Sequence, residues 1–329
     1  MYTMKITKFK SMLFSLLIIG LLFASCSSDD DNMQEPGDLQ QKTFMYEFHN
    51  GQAVPSAPYD GMHPDNLMAE MTIEEMDNGQ SMISVTVMNT IQGEMYMVHA
   101  HDAADPATTP NGTPYNETPN VDLLVQMAEG NGGDVTVTQT TDMSFTEITE
   151  MYEGFFVIHD PLQELNTADV STYLTVGAFA REQPETNYMS ATFNYDFNVG
   201  QIDEAFAYSG DHPSTLSAMM KIQELAEGKS RVSVMLENPI SGETYMVHAH
   251  DFADPSETPN GTPYNEVPNS DVMVLMIEGN SMPMNSQIST MSFNELTTSY
   301  GAFFVIHDPL QPVNTADPST YVVLGVFAD

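Results

Sequence analysis

The segment Tyr96-Met97-Val98-His99-Ala100-His101-Asp102 recurs without change at Tyr245–Asp251. Side chains of a β-strand point to alternate faces. The two histidines and the methionine therefore share one face of a predicted strand, and the valine and alanine between them point to the other. The segment predicts a strand that is apolar towards a core and carries paired imidazoles on its opposite face.

Two further segments recur in the same order. Thr109–Glu117 returns at Thr258–Glu266, and Phe155–Gln163 returns at Phe303–Gln311. The offset between the copies is 149 residues early (109 to 258) and 148 residues late (155 to 303). This difference predicts a single-residue gap in a loop within the range Asn131–Met143.

The chain therefore contains two tandem copies of one sequence unit. Repeat one is predicted at 43–180, the linker at 181–191 and repeat two at 192–329. Each unit is far longer than a solenoid repeat, so we expect each to be a full domain.

Short alternating stretches, such as Ser81–Met88 and Ser230–Leu236, predict strands, and pairs such as Asn78-Gly79 predict turns between them. The fold class expected is all-β, with two tandem antiparallel sandwiches or barrels. The best window for a helix is Asp65–Met76.

Composition limits the possible partners. The chain of 329 residues has 8 Lys and Arg against 46 Asp and Glu, a net charge of −38. Such a polyanion is not expected to bind nucleic acid or an anionic membrane surface. The single cysteine excludes an internal disulfide and a cysteine-based metal site.

The N-terminus resembles that of a bacterial lipoprotein. Residues 1–25 carry three lysines and then a short apolar run that ends in small residues before Cys26, the expected lipidation site. Residues 26–42 form an acidic, Pro- and Gly-containing tether. The resemblance implies an exported protein held by its lipid at the outer membrane or cell surface of a Gram-negative bacterium. An ordinary signal peptide with an incidental cysteine is the alternative.

Eight of the nine histidines fall into matched sets, and only His49 lacks a copy because Asn198 replaces it. Two imidazoles two residues apart on a strand, with a third on a neighbouring strand, form a set of nitrogen ligands suited to copper or zinc. The predicted ligands, for one ion per repeat, are His99, His101 and His159, and His248, His250 and His307. A polar strand face that binds no metal is the alternative.

The stretch Gly242–Asp254 resembles the copper-binding strand of the copper/zinc superoxide dismutases, and Phe304–Asp308 and Val323–Phe327 resemble that family's last copper histidine and final strand. Repeat one shows the same likeness. The resemblance implies an eight-stranded Greek-key sandwich with copper on the exposed outer face of one sheet. It also implies that both histidine triads are copper ligands.

The sequence also differs from that family at positions that matter for metal binding and catalysis. No histidine lies between Asp102 and Tyr152 or between Asp251 and Tyr300, so the family's zinc and bridging histidines are missing. The position of its guiding arginine is taken by Tyr173 and, in repeat two, by Tyr321. The chain is therefore more similar to copper-only and tandem relatives than to the bimetallic enzyme.

A second family competes. Gly51-Gln52-Ala53-Val54-Pro55, followed by the paired histidines, also resembles the CHRD (chordin-type) module. That likeness implies a structural or adhesive β domain without metal.

Other residues are candidates for supporting roles. His63, His212, Met97 and Met246 are possible additional ligands, the methionines through sulfur to Cu(I). Asp102, Asp160, Asp251 and Asp308 each follow a ligand histidine and could orient an imidazole. Loop acids in solvent and methionines packed under a loop are the alternatives.

Three functions remain open at this stage. The first is a surface lipoprotein that binds copper at two sites, for metal handling or slow redox chemistry. The second is an enzyme, either a weak dismutase or a zinc-activated hydratase type. The third is an adhesive sandwich whose histidines hold no metal. No protein partner is indicated by the sequence.

Overall fold

The computed structural model describes residues 39–109, 111–183 and 188–329. The predicted signal peptide, Cys26 and most of the tether lie outside the described residues, as does part of the linker. Within the described ranges, no helix has the length and apolar character needed to cross a membrane.

Repeat one contains nine strands. They are β1 (Gln41–Tyr46), β2 (Met68–Glu75), β3 (Ser81–Met88), β4 (Met95–Ala103), β5 (Tyr115–Pro119), β6 (Val125–Glu129), β7 (Val135–Thr141), β8 (Gly154–His159) and β9 (Tyr173–Ala178). One antiparallel sheet has the order β1-β2-β3-β7, and the other has the order β5-β4-β8-β9 with β6 also paired to β4.

Repeat two contains eight strands. They are β10 (Ser190–Tyr195), β11 (Ser217–Glu224), β12 (Ser230–Glu237), β13 (Thr244–Asp251), β14 (Val274–Glu278), β15 (Met284–Ser289), β16 (Ala302–His307) and β17 (Tyr321–Val326). They form two sheets with the orders β10-β11-β12-β15 and β14-β13-β16-β17. The expected all-β class with antiparallel sheets is confirmed, while the Greek-key assignment and the domain boundaries stay predictions.

Within the part of the chain that the structure describes, helical structure is confined to short pieces. These are the α-helix α1 (Phe293–Thr298), one π-helical turn (Glu147–Met151) and 3₁₀ turns at Val170–Thr172, Glu204–Phe206, Ala226–Gly228 and Pro318–Thr320. The best window for a helix, Asp65–Met76, is not helical, because most of it forms β2 (Met68–Glu75). Its buried side chains, Ala69, Met71 and Ile73, alternate with exposed or half-buried polar ones, which is the period of a strand.

The core of each repeat lies between its two sheets. In repeat one the buried cluster combines the inner face of β3 with Val98 and Ala100 of β4 and with Phe156 and Ile158 of β8. The predicted alternation along β4 is therefore confirmed, and it leaves His99 and its neighbours on the outer face. The single-residue gap also falls in a loop, between β6 and β7.

The two repeats belong to one compact unit, Leu39–Asp329. Arg231 of β12 is fully buried, donating to Asn50 Oδ1 at 2.9 Å and to the Tyr59 carbonyl at 2.5 Å. Its guanidinium also lies over the rings of Phe48 and Tyr59, 5.1 and 5.5 Å from their centroids. In repeat one the position equivalent to Arg231 is Met82, so the cation that joins the repeats exists in only one copy.

Two further polar contacts support the same interface. Lys221 of β11 pairs with Asp65 at 2.6 Å, and Ser286 of β15 donates to the carbonyl of Gly61 at 2.7 Å. Both partners lie in the connection between β1 and β2 of repeat one. The outer face of one sheet in repeat two thus packs on a loop of repeat one.

Candidate metal centres

The first histidine triad is assembled by two adjacent strands. His99 and His101 lie on the outer face of β4, and His159 ends the neighbouring strand β8. The ring centroid of His99 is 4.5 Å from that of His101 and 4.8 Å from that of His159. One nitrogen from each ring lies within 4.8 Å of the others, close enough for the three to share one cation after small side-chain rotations.

The second triad repeats this arrangement on β13 and β16. His248 lies 4.6 Å from His250 and 4.8 Å from His307, measured between ring centroids. The Nε2 atoms of His248 and His307 face each other at 2.8 Å, so one ring donates its proton to the other. Repeat one shows no such bond, because both ring nitrogens of His99 and of His159 lack a partner. The second triad therefore has a hydrogen bond between two of its imidazoles that the first triad lacks.

The triads are buried, which corrects the expectation that they lie on an exposed sheet face. His99, His101, His248 and His250 are 0% exposed. In repeat one, the Tyr115 ring lies 4.8 Å from that of His101, and the Tyr173 ring meets His159 edge-on at 4.1 Å. These tyrosines belong to a second apolar cluster on the outer face, where the loop residues Val54 and Ala57 also pack. Loops thus cover a face that the sheet alone would leave open.

Backbone carbonyls orient one imidazole in each triad. His101 Nδ1 donates to the Asn116 carbonyl at 2.6 Å, and His250 Nδ1 donates to the Asn265 carbonyl at the same distance. The proton is therefore on Nδ1, which leaves the lone pair of Nε2 free to bind a metal. The asparagines lie in the recurring TPNGTPYNE segment. That exact recurrence was the available sequence signal for this role, although by itself it indicates only the repeat.

Several buried nitrogens in the triads have no hydrogen-bond partner. They are Nδ1 and Nε2 of His99, Nε2 of His101, Nδ1 and Nε2 of His159, Nδ1 of His248 and Nε2 of His250. A buried polar atom without a partner costs about 1–3 kcal/mol. A metal ion bound to the free lone pairs would remove part of that cost, so the residues present fit a metal.

The electrostatics of the triads favour neutral imidazoles. Burial, and secondly the neighbouring imidazoles, lower the pKa of His99 and of His248 to about 2. The same two causes lower the pKa of His159 to about 3 and that of His307 to about 4. A neutral imidazole is the form that binds a metal, so no proton has to be removed at neutral pH.

The aspartates that follow the ligand histidines do not orient imidazoles. Asp102 Oδ1 accepts from Asn120 at 2.7 Å and from the Tyr152 hydroxyl at 2.8 Å. Asp251 accepts equivalent bonds from Asn269 and Tyr300. Their side chains point away from the face that carries the histidines, as alternation along a strand requires.

Asp160 and Asp308 have a different role, which is also not orientation of a ring. Asp160 accepts from the Tyr59 hydroxyl at 2.5 Å and from the side chain of Gln163 at 2.9 Å. Asp308 makes the matching bonds to Tyr208 and Gln311. These carboxylates anchor the loops that follow β8 and β16.

His63 and His212 are not part of the triads. His63 Nδ1 donates to the Pro64 carbonyl at 2.8 Å, and its Nε2 accepts from the Tyr96 hydroxyl at 2.9 Å. His212 repeats both bonds with Pro213 and Tyr245. Both ring nitrogens are occupied by hydrogen bonds, so these histidines are structural.

Met97 and Met246 lie where the sequence placed them, on the same face as the paired histidines and half-buried. Met97 lies opposite Met127 of β6, and Met246 lies opposite Met276 of β14. Their role as ligands stays a prediction.

Tyr173 and Tyr321, at the position of the guiding arginine in the resemblance, are anchored by their hydroxyls. Tyr173 donates to the Thr167 carbonyl at 2.8 Å, and Tyr321 donates to the Thr315 carbonyl at 3.1 Å. Each pairs with a second buried tyrosine, Tyr115 or Tyr264, that the sequence analysis did not single out. The cover over each triad is therefore aromatic and uncharged.

Comparison with known proteins identifies no relative. No protein-family model matches the chain, and no curated protein matches its sequence. The likeness to superoxide dismutases and to the CHRD module accordingly stays a prediction that rests on the quoted residues.

Proposed function

We propose that this chain is an exported, lipid-anchored metal-binding protein whose histidine triads each hold one copper ion, with zinc as the competing metal. The ligands are the imidazoles of His99, His101 and His159 in repeat one and their copies in repeat two. Copper bound there would supply one-electron redox chemistry, which zinc does not.

The observation that carries this proposal is the set of unpartnered nitrogens within each buried triad. Proteins satisfy nearly all of their buried polar groups. Three imidazoles that converge, with at least one free nitrogen each in repeat one, are otherwise an unexplained cost that is present in both repeats. An adhesive sandwich without metal would leave that cost unbalanced, so this alternative is disfavoured.

The covering of the triads favours binding over rapid catalysis. His99 and His248 are completely buried, and rings such as Tyr173 and Tyr321 lie over the outer face. A dismutase needs access for an anionic substrate and a positive field to attract it. Neutral tyrosines and a net charge of −38 provide neither. Metal handling or slow electron transfer is therefore the function that this site supports best.

The cellular placement rests on the sequence alone. Cys26 and the run before it resemble a lipoprotein signal, and the acidic tether would hold the folded repeats just off the membrane. Contact with the membrane is proposed only through the lipid, because the acidic body would be repelled by anionic headgroups.

The direct test is the metal content of the full chain, purified without added metal and again after equilibration with Cu(II) or Zn(II). We expect one ion per triad after equilibration. His99→Ala and His248→Ala should each remove one ion, and the double variant should remove both. His49→Asn is the matched control, because Asn198 already fills that position in repeat two, and it should leave the metal content unchanged.

An unchanged metal content in the double variant would contradict the proposal. Retention of Zn(II) with no retention of Cu(II) would instead assign the sites to zinc.

A further inference from the structure

A groove between the two repeats is rich in methionine. Its volume is about 530 Å³, and it is lined by Met62 and Leu162 of repeat one and by Met276, Met282 and Met284 of repeat two. Met62 is 47% exposed and Met276 is 50% exposed, so their thioethers can be reached from solvent. Large apolar side chains gathered in one open groove suggest a binding role.

The groove depends on residues of repeat two that differ from their copies in repeat one. The connection between β14 and β15 reads Asn280-Ser281-Met282-Pro283 before Met284. The copy in repeat one reads Asn131-Gly132-Gly133-Asp134 and contains no methionine. The fourth methionine, Met62, is brought to the groove by the contact between the repeats, since its neighbour Gly61 accepts the bond from Ser286.

The groove opens onto the same sheet face as the second triad. Thr244, which also lines the groove, alternates along β13 with Met246 and His248, so the three side chains share the outer face. Met246 lies directly opposite Met276 of the groove, and His248 lies opposite Val274, the next position on that face of β14. Directly opposed residues have side chains about 5 Å apart at Cβ. Methionine thioethers are therefore found from the groove up to Met246, which is next to His248 on the outer face of β13.

We propose that Met62, Met276, Met282 and Met284 form a separate thioether site for a soft monovalent cation, Cu(I), at the junction of the repeats. Thioether sulfur is a soft ligand that selects Cu(I) over divalent ions. The only cysteine precedes the described residues and is the expected lipid site, so methionine is the softest donor on the folded body. The strongly acidic body raises the local concentration of cations, which supports binding by an uncharged ligand set.

The triads and the methionine groove are expected to prefer different oxidation states of copper. Imidazole suits both Cu(II) and Zn(II), whereas thioethers hold neither well, and Glu278 is the charged residue that also lines the groove. The groove is thus expected to take the reduced ion and to place it beside Met246, next to the histidines of repeat two.

The test uses Ag(I), a soft monovalent ion that does not change its oxidation state, on the full chain. The background carries His99→Ala and His248→Ala, so that the outcome does not depend on whether the triads bind metal. In that background Met276→Leu with Met284→Leu should abolish about one equivalent of Ag(I) binding, since leucine keeps the volume but lacks sulfur. The matched control is Met95→Leu with Met127→Leu, two exposed methionines of repeat one, of which Met127 is the copy of Met276.

Isotope labelling of the methionine methyl groups gives a second measurement. Addition of Ag(I) should shift the methyl resonances of the four groove methionines before those of other exposed methionines such as Met45 and Met189. Equal Ag(I) binding by the groove variant and the control, or equal shifts at all exposed methionines, would overturn the proposal. It would also be overturned if the groove variant lost binding of an apolar peptide while its Ag(I) binding stayed intact, because the groove would then be a peptide site.

Discussion

Acidification is expected to destabilise the metal-free protein much more than the metal-bound protein. The perturbation is a change from about pH 7.5 to about pH 5.5, a window that lies around the ordinary histidine pKa of about 6.5. The pKa values of His99, His159, His248 and His307 in the folded chain all lie well below this window. Their imidazoles stay neutral in the folded protein and become charged when the chain unfolds.

The sign and the size follow from proton linkage. A histidine whose pKa is depressed by folding contributes its full stability above the pKa of the unfolded state and loses it as the pH falls towards the folded value. Between about pH 7.5 and about pH 5.5, each such histidine lowers the free energy of unfolding by about 1.4 kcal/mol. The four together give about 5 kcal/mol, which is a large part of the stability of an ordinary domain.

The assay is denaturant unfolding at a series of pH values, followed by circular dichroism, with and without bound metal. Metal on the free nitrogens adds a binding free energy to the folded state, so the loaded protein should keep its midpoint to a lower pH. His99→Gln with His248→Gln removes two of these four groups, so the stability lost across the pH window should become smaller by about 3 kcal/mol. A parent slope near zero, or the same slope in the variant, would refute the reasoning, because the imidazoles would then titrate normally in the folded state.

Three further predictions follow from the contacts. Arg231→Ala should lower the free energy of unfolding by about 2–4 kcal/mol, because it leaves Asn50 and the Tyr59 carbonyl without their buried donor; an unchanged thermal midpoint would show that this contact does not hold the repeats together. Tyr59→Phe should cost about 1–3 kcal/mol by removing a donor from the buried Asp160 carboxylate. The matched change Tyr208→Phe should cost a similar amount, because Asp308 is as buried as Asp160, and a negligible cost in thermal unfolding would contradict the role of the buried carboxylate. Any dismutase activity should be slow and should rise with added salt, since screening weakens the repulsion of superoxide; a fall with salt would reveal a local positive funnel.

The sequence predicted the parts of the fold that depend on local alternation. In β4 the residues Val98 and Ala100 lie in the core and the two histidines lie on the other face, as the period of two required. The helix expected at Asp65–Met76 failed for a related reason. Its spacing of apolar residues fits a helical stripe over three turns, but it fits the alternation of β2 equally, and pairing with β1 and β3 selects the strand.

The prediction that the triads are exposed was wrong because exposure depends on which loops cover the sheet. Nothing in the alternation of β4 says whether its outer face meets solvent or a loop. The burial of the triads comes from Tyr115 and Tyr173, which lie in segments distant from the histidines along the chain. In the same way, the bond from His101 to the Asn116 carbonyl uses backbone atoms, which residue identity does not encode. Ligand positions were therefore predictable from spacing, whereas their orientation and access were not.

The two copies show which of these features duplication alone can explain. The triads and their tyrosines are matched in both repeats, so they are explained by a common unit. Arg231, Lys221 and the methionines of the β14–β15 connection have no counterpart in repeat one, and all of them lie at or beside the junction of the repeats. These differences between the copies thus include the residues that join one repeat to the other. A duplicated metal site needs no such junction to bind its ion, so the proposal for the methionine groove is tested independently of the triads.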